Sequence, residues 1–71
     1  MKKNRIKYYL NVTRKRQYEL ADYLGVSKQA VSNWARCKRN PERQERIDMI
    51  CSFFNPHLTN KIKEKHLFYF E

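Results

Sequence analysis

Four polar side chains fall within six positions of this chain: Lys28, Gln29, Ser32 and Asn33. On a helix that spacing places them on one face, with Asn33 one turn beyond Gln29. Amides offer a donor and an acceptor side by side, which suits the edge of adenine, and a Lys ammonium donates to the acceptors of guanine. The chemistry on offer is recognition by hydrogen bonding, not bond-making. No nucleophile–base pair, carboxylate pair or Gly-rich phosphate loop stands out, so catalysis has no support. His57 and His66 have no partners at ligand spacing, and Cys37 and Cys51 form no Cys-x-x-Cys set, so no metal, cofactor or small-molecule substrate is expected.

Apolar residues alternate with that polar set and define the elements that must carry it. Leu20, Ala21, Leu24, Val26, Val31 and Trp34 form the inner face of two short helices joined at a tight corner. Gly25, the only glycine, supplies the left-handed residue that ends the second helix. Val26 plugs the corner and Ser27 caps the third helix, which spans about 27–36 and keeps Val31 and Trp34 inside. A first helix is expected from about Asn4 to Val12 with Ile6, Tyr9 and Leu10 inward. Thr13 is expected to cap the second helix, which would then begin near Arg14. Asn40-Pro41 reads as the opening of a fourth helix, whose stripe is Ile47, Ile50, Cys51 and Phe54. Asn55-Pro56 closes it. Residues 1–56 therefore read as the domain and 57–71 as a tail. In that tail Leu58 and Ile62 have helical spacing, while the run Leu67, Phe68, Tyr69, Phe70 is either a strand or a helix end. The fold class is all-α: a compact four-helix domain with a short C-terminal helix or strand.

Charge narrows the partners. Sixteen Lys and Arg against 7 Asp and Glu give a formal net charge of +9 on 71 residues. Such an excess attracts polyanions, with DNA, RNA and anionic membrane all eligible. No stretch is long enough to cross a bilayer, and the first helix is too narrow on its apolar side to lie on one. RNA readers usually present aromatics on sheets or loops, and no such module is visible. Cys51 lies on an apolar helix face, so a reduced buried thiol and a cytoplasmic setting are expected.

The residues from Gln17 to Trp34 resemble the helix-turn-helix of the Cro/cI repressor family, also called XRE-type or lambda-repressor-like. The resemblance is carried by Gln17, Ala21 at the helix crossing, Gly25-Val26-Ser27 at the turn, and Leu20, Leu24, Val31 and Trp34 inside. It extends over about residues 5–54. It departs at Lys15 and Arg16, where the family often has an apolar residue and then Thr or Ser; the start of the second helix is then shifted or more electropositive than usual.

The resemblance implies a transcriptional regulator that binds operator DNA as a dimer. Lys28, Gln29, Ser32 and Asn33 would face base edges. Gln17, Tyr18, Ser27, Arg36, Lys38, Arg39 and Arg16 would meet the phosphate backbone, aided by backbone amides at helix starts. The resulting expectation is a small phage, prophage or plasmid-type repressor that reads a palindromic double-stranded site through its third helix. The tail matches no pattern of that family, so the mode of pairing is not carried over; the apolar run Leu67, Phe68, Tyr69 and Phe70 is the expected subunit contact on its own chemistry. The alternative is an antirepressor or adaptor that keeps the same scaffold and uses that apolar tail to bind another regulatory protein.

Overall fold

The computed structural model describes residues 1–71. The chain runs through β1 (Lys2–Asn4), α1 (Ile6–Thr13), α2 (Gln17–Leu24), α3 (Lys28–Ala35) and α4 (Gln44–Phe54). A 3-10 turn at Asn55–His57 follows, then α5 (Glu64–Leu67) and β2 (Phe68–Phe70). Four helices form the body as the apolar spacing predicts, and the tail contains both a one-turn helix and a strand.

Helices α1, α2 and α3 end in the same way. Arg14, Gly25 and Cys37 each adopt a left-handed conformation, with φ of 58°, 71° and 59°. After each, the chain folds back to bond the last carbonyls: Lys15 N–H to Leu10 O at 2.9 Å, Val26 N–H to Ala21 O at 3.1 Å, and Lys38 N–H to Asn33 O at 2.9 Å. This is the Schellman closure. Only the middle one is announced by a glycine. The first displaces an expected start: Thr13 does not cap α2 but closes α1, its hydroxyl donating back to Tyr9 O at 2.6 Å. α2 therefore begins at Gln17, where Glu19 Oε2 accepts the Arg16 N–H at 2.7 Å.

Asn40 likewise does not cap α4, which begins at Gln44. Its amide is committed to the N-terminal strand, accepting from Asn4 Nδ2 at 2.8 Å and donating to Lys2 O at 3.1 Å. Asn4 is 5% exposed and stands outside α1 rather than beginning it. Its Oδ1 accepts the Ile6 N–H at 3.0 Å and its Nδ2 also donates to Trp34 O at 2.9 Å. One buried amide thus ties the entry to α1, the end of α3 and the loop after it.

The core gathers Ile6 and Leu10, Leu20 and Ala21, Val31 and Trp34, then Ile47, Ile50, Cys51 and Phe54 from the four main helices. Each fully covered Leu, Ile or Phe contributes about 1.5–3 kcal/mol relative to exposure. Ile62 and Leu67 complete that cluster from beyond residue 56, so the tail is built into the same body. Ile62 is not on a helix with Leu58. Both polar atoms of the Asn55 side chain hold its backbone instead, with Ile62 N–H to Oδ1 at 2.7 Å and Nδ2 to Ile62 O at 3.2 Å. β2 then pairs antiparallel with β1 in the register Lys2↔Phe70, Lys3↔Tyr69, Asn4↔Phe68. Lys-Lys-Asn has little strand propensity, and the aromatic partner strand overrides it.

Candidate nucleic-acid interface

Helix α3 is positioned by its cap and its inner face. Ser27 Oγ accepts the Ala30 N–H at 3.1 Å, which satisfies a free donor of the first turn. Val31 is fully covered and Trp34 is 6% exposed, so the helix is fixed in rotation. Lys28 and Gln29 are then exposed, and Ser32 and Asn33 half-buried, on a common outer side. Gln29 Nε2 donates to Asn33 Oδ1 at 3.1 Å, and Arg36 donates through Nη2 to Ser32 Oγ at 3.1 Å.

The expected phosphate-binding side chains surround this helix. Arg16, Gln17 and Tyr18 are exposed at the start of α2, Ser27 at the corner, and Arg36, Lys38 and Arg39 beyond the end of α3. Two cations the sequence reading passed over join them. A cleft of about 480 Å³ lies between α3 and the segment leading into α4, and Gln29, Asn33, Arg39, Arg43 and Arg46 line it. Arg43 and Arg46 were legible as a pair three apart at the start of α4.

Few of these charges are neutralised. The two ion pairs are Lys3 Nζ with Glu71 Oε2 at 2.9 Å and Arg43 Nη2 with Glu45 Oε1 at 2.7 Å. The second is exposed on both sides and worth little. Arg16, Arg36, Lys38, Arg39 and Arg46 have no carboxylate partner, so the surface around α3 presents uncompensated positive charge to a polyanion. The displaced proton affinities lie elsewhere. Burial pushes the Tyr9 hydroxyl up, burial followed by Asp48 and Glu64 pushes the Cys51 thiol up, and the bond to Glu71 raises Lys3. None of the three belongs to the outer face of α3. No group of three or more His, Cys, Asp or Glu converges as a metal site would require.

Of the four tail residues expected at a subunit contact, one is taken up inside the protomer. Leu67 is fully buried in the protomer's own core, which corrects its assignment to an interface. Phe68 and Tyr69 are half-buried, with Lys2 Nζ 4.2 Å from the Phe68 ring centre and the Arg5 guanidinium 4.4 Å from that of Tyr69. Phe70 alone is left largely free, at 79% exposure.

A capped helix held proud of a four-helix body, ringed by unpaired cations, defines a helix-turn-helix DNA-binding domain. The chain belongs to the bacteriophage CI repressor helix-turn-helix family, whose model matches residues 4–48. That is a family of DNA-binding domains and not of enzymes. A crystal structure of a Bacteroides fragilis protein, described as a candidate DNA-binding protein, shares the fold with a TM-score of 0.82. The match covers 97% of this chain and 100% of that one at 23% identity. It takes in the strands and tail that lie beyond the family match. No curated protein matches the chain. No helix is long and apolar enough to cross a membrane.

Proposed function

We propose that the chain is a sequence-specific regulator of transcription, a small phage-type repressor that lays α3 in the major groove of its operator. The observation that carries this reading is the outer face of α3, where Lys28, Gln29, Ser32 and Asn33 stand together while Val31 and Trp34 hold the opposite side in the core. The major groove is about 12 Å wide and admits a helix presented in this way. Lys28 and Gln29 sit in the first turn, the part that enters most deeply. Arg16, Gln17 and Tyr18 take phosphates from the start of α2, and Ser27 from the cleft it shares with Arg39, Arg43 and Arg46. Arg36, Lys38 and Arg39, together with Arg43 and Arg46, take further phosphates beyond the end of α3.

A two-fold dimer would set two such helices about one DNA turn apart, roughly 34 Å, and so match a palindromic site. The adaptor alternative drew its support from an apolar Leu67–Phe70 surface. With Leu67 buried and Phe68 and Tyr69 partly covered, only Phe70 still speaks for it.

Selection of bound duplexes from a random pool, followed by anisotropy titrations, tests the proposal. One enriched palindrome bound at least a hundredfold more tightly than random DNA is the expected result. Equal affinity for every duplex would overturn it.

A further inference from the structure

The two amides on the outer face of α3 are bonded to each other, and this limits what each can read. Gln29 Nε2 donates to Asn33 Oδ1 at 3.1 Å. A primary amide has two N–H donors and an oxygen with two lone pairs. After the bond, Gln29 keeps Oε1 and one N–H, an acceptor and a donor as adenine requires at N6 and N7. Asn33 has turned its oxygen back along the helix toward Gln29. Its free end is Nδ2, a donor.

We infer that Gln29 and Asn33 act as one specificity unit, in which Asn33 is a positioning residue for Gln29 and also reads a base as a donor. The inference rests on the proposed insertion of α3 into the major groove. Gln29 is fixed for adenine. Asn33, four residues along, lies about 6 Å further up the helix, which corresponds to about two base pairs. There it donates to a major-groove acceptor: N7 or O6 of guanine, N7 of adenine, or O4 of thymine. Two unlinked amides could each rotate by a half-turn and accept either donor or acceptor edges. The bond removes that freedom before the DNA arrives, which lowers the ordering cost of binding. Ser32 accepts from Arg36 and is not part of this amide pair.

The test is a comparison of operator preferences for the parent chain, Asn33→Ala, Asn33→Asp and Gln29→Ala, each selected from the same random duplex pool. Asn33→Ala should lose discrimination at two positions, with its own flattened and the adenine preference at the Gln29 position falling by roughly tenfold. Asn33→Asp keeps an oxygen for Gln29 and so should restore the adenine preference. It should also convert its own position to cytosine, whose N4 is a donor. Gln29→Ala removes the adenine preference and also frees the Asn33 amide to turn, so the Asn33 position should relax from acceptor edges alone to donor or acceptor edges.

Loss confined to one position in Asn33→Ala, or failure of Asp to restore adenine, overturns the coupling. A parent chain that enriches no motif overturns the groove-reading proposal itself, so the two failures are told apart. Circular dichroism of each variant controls for folding, since a merely structural defect would weaken all positions alike.

Discussion

Replacing Asn4 by Ala should destabilise the protein by about 2–3 kcal/mol, although Asn4 touches no expected DNA-contacting side chain. The residue is 5% exposed and makes three side-chain hydrogen bonds, to Ile6 N–H, Trp34 O and Asn40 Oδ1. Each is worth about 1 kcal/mol net, and a donor left buried without a partner costs about 1–3 kcal/mol. The three losses are not equal. Trp34 O keeps the Cys37 N–H at 2.9 Å, and the Asn40 side chain keeps its bond to Lys2 O. The Ile6 N–H is left with nothing, so it supplies most of the cost. For a domain of this size about 4–8 °C of melting temperature accompanies each kcal/mol, which predicts a fall of roughly 10–20 °C. Urea unfolding followed through Trp34 fluorescence and far-ultraviolet dichroism measures it. An Asn4→Ala chain within 0.5 kcal/mol of the parent would show that the amide hub is not holding α1, α3 and the ribbon together. Asn40→Ala should cost less, about 1 kcal/mol, because its partner Asn4 retains two other bonds.

Four further outcomes can be checked. Lys28→Ala or Gln29→Ala should weaken operator binding by about 1–3 kcal/mol and relax sequence preference, whereas Lys38→Ala should weaken all duplexes alike; equal losses on random and selected DNA for all three would refute the division. The double replacement Arg43→Gln with Arg46→Gln should flatten the dependence of log affinity on log salt by about 1.8, or 0.9 per phosphate contact, and an unchanged slope in salt titrations would remove both from the interface. A Cβ at Gly25 meets nothing within 4 Å, so Gly25→Val carries backbone strain alone and should cost about 1–2 kcal/mol in chemical denaturation, with Gly25→Asn markedly milder. Alkaline pH should destabilise the fold, because Cys51, Tyr9 and Lys3 are all raised and hold their protons after the unfolded chain releases them; these three groups add no pH dependence well below the ordinary thiol value of 9.0, their effect grows as pH rises past it, and stability rising between pH 9 and 11 would contradict this sign.

The sequence determined whatever rests on neighbours within a turn or two. Gly25 sets the corner and Ser27 the cap, and the three-and-four spacing of Val31 and Trp34 turns Lys28, Gln29, Ser32 and Asn33 outward; each of these is a local preference that needs no distant partner. The outer face of α3 was therefore readable before any fold was known, as were the cations near it in the chain, whereas Arg43 and Arg46 joined them only through the cleft between α3 and the segment leading into α4. Tertiary structure alone decided the rest. Arg14 and Cys37 take a left-handed conformation that their side chains disfavour, because the packed helices on either side require the chain to turn there. Asn40 left the start of α4 for a strand far away in the chain, and Lys2–Asn4 became that strand only because Phe68–Phe70 lay alongside. Leu67 turned into core for the same reason: a hydrophobic run reports that it must be covered, and the partner that covers it is chosen by the whole fold.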